Sequence, residues 1–160
     1  MTLNLTIEQY NEIMALPDWT IWNDPANHDC ENKNYDNYYL ETIYAKTPYG
    51  IICLDAGRIV NGASIPYLIQ WLIPKSGKYN RCAGFHDVGY EDGGFWIITL
   101  DSEGRLIRVF IKLKQQEVDY AYLKLMQGRG VSKWNRNIQY RGLRVGGWYQ
   151  WNKYRKLNLK

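Results

Sequence analysis

The chain has 160 residues, 46% of them hydrophobic and 15% aromatic, with seven Trp and fourteen Tyr against three Phe. That is the length of one ordinary domain and too apolar a composition for a disordered chain, so a large multidomain enzyme, a repeat array and an unfolded tail are all excluded. The net charge of +4 conceals a split: residues 1–77 carry four Lys/Arg and nine Asp/Glu, residues 78–160 carry sixteen and seven, and from Arg129 to Lys160 nine basic residues meet no acidic one.

In chain order, Thr6 as N-cap, Gln9 three residues on and Ile7, Tyr10, Ile13 and Met14 at helical spacing predict a short amphipathic helix closed by Pro17. Asp18 to Asn37, rich in Asn and Asp, reads as an irregular surface loop. Tyr38 to Ala45 and Ile51 to Leu54 flank a Pro/Gly turn at Lys46–Gly50 and predict a hairpin. A Gly-bearing loop from Gly57 then leads into a short helix over Ile65–Leu72, capped by Ser64 and ended by Pro74. Gly77 to Tyr90 predicts a second helix, Phe95–Leu100 with Leu106–Leu113 a second hairpin, Gln115–Gln127 a helix ended by Gly128–Gly130, and Ser132 caps a last helix to Val145. Strand and helix do not alternate as in a nucleotide-binding parallel sheet. The expected fold is therefore α+β, a single compact domain over residues 1–160 whose helices pack with short antiparallel hairpins.

Other features narrow the setting. No apolar run reaches the roughly 18 to 20 residues that span a bilayer, and Met1–Tyr10 lacks a signal peptide's basic start and apolar core. The expected location is a cytoplasm, with carriage in a virion as the alternative. Cys30, Cys53 and Cys82 are odd in number and show no paired spacing, which fits idle or buried thiols rather than disulfides or a zinc knuckle.

The chemistry centres on His86-Asp87-Val88-Gly89-Tyr90. On a helix, the i, i+4 pair His86 and Tyr90 shares one face with Asp87 one position round, so an imidazole, a phenol and a carboxylate converge. Imidazole takes a proton from water near neutral pH, and a nearby carboxylate orients it or holds a cation. Asp119 sits among Val118, Tyr120, Ala121 and Tyr122 and needs a partner there. His86 is the expected one, across two packed helices at about 3 Å; the bland alternatives are an ion pair with Lys124 or Arg141 and a purely structural histidine. A serine nucleophile at Ser64 is less economical, because Ser64 already serves as a helix cap.

These residues carry two resemblances. Asn61-Gly62-Ala63-Ser64-Ile65-Pro66, then Trp71, Pro74, Gly77 and Tyr79, then His86-Asp87 with Tyr90, Val118-Asp119, Gly130-Val131 and Arg144 resemble the phage and prophage domain-of-unknown-function family 1353 over roughly Gly57 to Trp151. The resemblance implies a phage setting rather than a reaction; family members usually carry Asp where this chain has Asn61 and a basic residue where it has Tyr67. The site alone is similar to that of secreted and viral-capsid phospholipases, which implies His86 as the base, Asp119 as the group orienting it, Tyr90 as a supporting hydroxyl and Asp87 as a calcium ligand. Carbonyls of Gly57–Gly62 and the amide of Asn61 would complete a weak divalent-cation shell.

From Trp134 to Trp151 aromatics interleave with arginine, and Arg136, Arg141, Arg144, Trp148 and Trp151 are the expected contacts to nucleic acid or to an anionic surface. The bland alternative is an amphipathic helix whose arginines pair with the acidic N-terminal half. Two functions follow: a small hydrolase using His86 and Asp119 to activate water, or a non-catalytic phage accessory or virion protein that binds a partner through its basic aromatic end.

Overall fold

The computed structural model describes residues 5–23, 30–33, 36–39, 41–60 and 80–157. The elements run α1 (Ile7–Met14), β1 (Thr20–Ile21), β2 (Cys30–Lys33), β3 (Asp36–Tyr39), β4 (Ile43–Thr47), β5 (Gly50–Leu54), β6 (Ile59–Val60), α2 (Asn80–Asp92), β7 (Gly94–Leu100), β8 (Leu106–Lys112), α3 (Gln115–Gly128) and α4 (Lys133–Leu157). The fold is α+β. Its centre is a five-stranded antiparallel sheet in the order β1-β4-β5-β7-β8, and β2, β3 and β6 form a second, three-stranded sheet.

Side-chain alternation along the central strands explains the layering. Ile43, Ala45, Ile52, Leu54 and Phe95 point to one face, where they meet Cys82, Ala83, Phe85 and Val88 of α2 and Val118, Ala121, Tyr122, Leu125 and Met126 of α3. Tyr44, Ile51, Cys53 and Ile98 point to the other, where Leu5 and the α1 residues Tyr10 and Ile13 cover them. Because β4 and β5 are buried on both faces, they read as continuous apolar runs rather than alternating ones. α1 is held by the expected reciprocal cap, Gln9 N–H donating to Thr6 Oγ1 at 3.1 Å and Thr6 N–H to Gln9 Oε1 at 2.9 Å.

Both expected hairpins exist, and their joining is what the local pattern could not supply. Ile51 pairs with Ile98 and Ile52 with Ile97, so β5 and β7 fuse the two hairpins into one sheet. The stretch expected as loop, Asp18 to Asn37, contains β1 and β2 and the start of β3: Thr20 pairs with Lys46 and Ile21 with Ala45, contacts made with a distant strand rather than locally. The single strand expected over Tyr38–Ala45 is two pieces, β3 in the smaller sheet and β4 in the larger. The second helix ends at Asp92 rather than Tyr90. α3 ends as expected at the glycines: Gly130 at φ +68 lets its N–H reach Gln127 O and that of Val131 reach Met126 O. The last helix does not stop at Val145 but continues to Leu157, through Gly146 and Gly147. The loop expected from Gly57 includes a short strand, β6, paired with β3; its remainder, residues 61–66, and the helix expected over Ile65–Leu72 lie outside the described residues.

Close helix packing sets the stage for the site. A Cβ at Gly89 of α2 would lie 2.6 Å from Val118 Cγ1 of α3 and 2.8 Å from the Phe95 ring. Gly89→Ala is therefore expected to push the helices apart and destabilise the fold by about 1–3 kcal/mol, despite alanine's better helix propensity, read as a lower urea midpoint with unchanged slope.

Candidate active site

The site forms where α2, α3 and α4 meet. Cys82, Phe85 and Val88 fix one face of α2 in the core, and that phase carries His86 and Tyr90 inward one turn apart. Val118, Ala121, Tyr122, Leu125 and Met126 fix α3 in the same way and force Asp119 inside with them, fully buried. A carboxylate there requires hydrogen-bond donors, and it has three. His86 Nε2 lies 3.0 Å from Asp119 Oδ1, Tyr90 Oη donates to the same oxygen at 2.6 Å, and Arg144 Nη1 of α4 donates to Oδ2 at 2.6 Å. Gln115 Nε2, one turn before Asp119, donates to Tyr90 Oη at 3.1 Å.

Packing holds these groups in place. The His86 ring lies against those of Tyr90 and Tyr122, with centroids 4.2 Å and 5.1 Å away, and Tyr122 Oη donates to Gln139 Oε1 of α4. Trp151 closes edge-on over Tyr90. Gly147 is the point of closest approach: a Cβ there would stand 2.4 Å from Tyr90 Oη and 3.0 Å from Gln115 Nε2. Gly147 stands inside the helix where α4 passes too close over Tyr90 to admit a side chain. Arg155 donates to the carbonyls of Tyr90 and Glu91, satisfying the C-terminal end of α2.

The electrostatics follow from this geometry. Burial alone would raise the Asp119 pKa, but hydrogen bonds from His86, Tyr90 and Arg144 outweigh it and hold the group below its ordinary value, ionised. Burial likewise disfavours the His86 imidazolium, yet Asp119 and then Asp87 more than offset it, and the His86 pKa stands above its ordinary 6.5. Tyr90 is pushed far up by burial and by the Asp119 charge, so it remains a donor. Asp87 is raised by burial, with His86 opposing.

The two ring nitrogens have different surroundings. Nε2 faces Asp119, whereas Nδ1 lies 3.8 Å from Asp87 Oδ1, and His86 and Asp87 both line a cavity of about 250 Å³. His86, Asp87, Tyr90 and Glu91 of α2 form one wall of this cavity, and Leu143, Gly146, Gly147 and Tyr149 of α4 the other. Asp87 Oδ2 is buried and has no hydrogen-bond partner among the described residues.

His86, Tyr90, Asp87 and Asp119 are thus brought to one place. Asn61 lies outside the described residues, and among those described no three His, Cys, Asp or Glu side chains converge as a metal cluster would. The expected partner-contacting residues divide. Arg144 is bound to Asp119 and Trp151 is packed on Tyr90, so both are drawn into the site; Arg136 donates to the Val131 carbonyl, while Arg141 and Trp148 are exposed. The ion-pair partner of Asp119 is Arg144, not Lys124 or Arg141, and Arg136, Arg141 and Arg144 make no ion pair with a described residue of the acidic N-terminal half. Gln115 was not anticipated, although its position four residues before Asp119 places it on the same helix face. Of the three cysteines, Cys53 and Cys82 are buried free thiols, and burial pushes Cys53 up to about 12.

A family model described as "Protein of unknown function (DUF1353)" matches residues 38–143, a span that includes His86, Asp87, Tyr90 and Asp119 and ends one residue before Arg144. Neither the search of curated proteins nor that of solved structures finds a match to this chain.

Proposed function

Since the chain belongs to the family described as protein of unknown function (DUF1353), its chemistry must be read from the site, and we propose that it is a small hydrolase in which His86 activates water. The observation that supports this most is the asymmetry of the imidazole: Nε2 is held by a buried, ionised Asp119, and Nδ1 faces Asp87, which lines the same cavity as His86. With Nε2–H donated to Asp119, Nδ1 carries the lone pair. It takes a proton from a water in the cavity as that water attacks an ester or amide carbon, and Asp119 stabilises the imidazolium that results. The proton then passes to the leaving group. Tyr90 and Arg144 fix the Asp119 carboxylate, and through it the ring.

The charge that develops on the carbonyl oxygen of the attacked carbon needs a countercharge. Asp87, with an unpartnered buried oxygen, is a hard oxygen donor suited to a divalent cation, which would supply that countercharge when bound, whereas Glu91 on the same wall is already paired with Arg58 at 2.9 Å. The phage setting implied by the sequence resemblance is part of this reading. One observation favours the non-catalytic alternative: Asp119 receives donors from both α2 and α4, so the same network ties three helices together. A panel of esters, amides and phospholipids assayed across pH separates the two. If His86 is the base, kcat/KM rises with pH through an inflection above 6.5, because the base must be neutral and its two carboxylate neighbours favour the protonated form. No turnover on the panel with or without calcium, or a rate indifferent to pH between 5 and 9, counts against the hydrolase.

A further inference from the structure

The exposed face of α4 has a composition that neither the site nor the core uses. Seven basic residues and no acidic one lie between Lys133 and Leu157. Three of the seven are engaged internally, Arg136 with the Val131 carbonyl, Arg144 with Asp119 and Arg155 with the end of α2. Arg141, Lys153 and Lys156 are not fully buried and make no ion pair or hydrogen bond with any described residue. Along the same face stand Trp134, Val145 eleven positions on, and Trp148 and Tyr149 three and four beyond Val145, exposed by 68%, 79%, 56% and 67%. Such a run of large apolar side chains is unusual on a surface that stays in water.

We propose that this face of α4 docks on an anionic lipid surface, with the Trp, Tyr and Val side chains in the headgroup region and Arg141, Lys153 and Lys156 on the lipid phosphates. Three features select this occupant. The bare positive charge excludes a second copy of the same face, which would set cation against cation. Val145, the most exposed of the group, has no aromatic face or hydrogen-bonding group with which to meet a nucleobase, yet an aliphatic side chain partitions readily into a lipid interface. No described helix is long and apolar enough to cross a membrane, so the contact is lateral. Tyr149 belongs both to this face and to the cavity wall, so docking would bring the cavity mouth to the lipid. The proposal stands whether or not His86 is catalytic.

The test is sedimentation of the full chain with vesicles of phosphatidylcholine alone and of phosphatidylcholine with one third phosphatidylglycerol, at low and physiological salt. Retention is expected on the anionic vesicles, weaker at the higher salt, with little on the neutral ones. Arg141→Glu/Lys153→Glu/Lys156→Glu, its fold checked by circular dichroism, is expected to lose at least about a hundredfold in affinity. If that variant fails to fold, Lys153→Gln/Lys156→Gln is used and is expected to lose about tenfold. Val145→Ser/Trp148→Ser is expected to weaken binding and to remove most of the blue shift in tryptophan fluorescence. Equal retention on neutral vesicles, no retention on anionic ones, unchanged binding by the charge variants, or a mobility shift of single-stranded DNA in the absence of any vesicle binding would each overturn it.

Discussion

In the His86→Gln protein, hydrolysis of any substrate found for this chain is expected to fall by about 10²- to 10⁴-fold in kcat, the range that a positioned general base supplies. Glutamine is the informative replacement. It can donate one N–H to Asp119 and so leave the buried carboxylate a partner, but it has no titratable nitrogen. The fold should therefore survive while the acid limb of the pH profile disappears. Urea unfolding and the rate, measured on the same preparation, distinguish the outcomes. A folded variant that keeps its rate removes His86 from catalysis, and a variant that is unfolded assigns the ring to structure. The argument depends on the two nitrogens having separate tasks, which the 3.0 Å contact of Nε2 and the 3.8 Å approach of Nδ1 to Asp87 set out.

Asp119→Ala is expected to cost the fold about 3 kcal/mol, the lower end of what removing one partner from a buried charged pair costs. Asp119 is fully buried, so its loss strands His86 and Tyr90 without an acceptor; Arg144, 37% exposed in its side chain, recovers water and limits the damage. In a chain of this size that corresponds to a melting point lower by about 6–12 °C. The difference from the parent should also depend on pH. The folded pKa of Asp119 lies below 3.8, so its stabilisation is present above that value and is lost as pH falls through the folded pKa. The folded pKa of His86 lies above 6.5, so its share is complete below 6.5 and is lost as pH rises through the folded pKa. The gap between parent and variant is therefore widest between about pH 4 and 6.5. Thermal melts of both proteins at pH 3, 5.5 and 9 check this, and a gap independent of pH would show that the carboxylate acts through packing and not through charge.

Much of this architecture is written in short-range pattern. The Thr6–Gln9 cap, the Asp101–Arg105 turn between β7 and β8 and the Gly130 stop of α3 each depend on residues within a few positions of one another, and each lies where the pattern places it. The i, i+4 spacing of His86 and Tyr90, with a lone acid in the apolar phase of α3, was enough to point to their meeting. A buried carboxylate needs donors, and few were available on the neighbouring helix.

What the sequence alone determined is therefore the kind of the helices and of the two hairpins, though not the short strands within the stretches read as loop, together with the α+β class and the residues whose chemistry demands a buried partner. Only the tertiary structure decided which distant strands share a sheet, why Gly147 lies inside a helix, and that Arg144 belongs to Asp119. The reason is the same in each case. Strand pairing between Thr20 and Lys46, or space for α4 over Tyr90, is set by which surfaces meet after collapse, and no periodicity within one segment records the shape of the segment it will meet. Arg144 illustrates it most clearly: on its own helix it is one more cation in a basic run, and it acquires a specific role only because α4 crosses Asp119 at that turn.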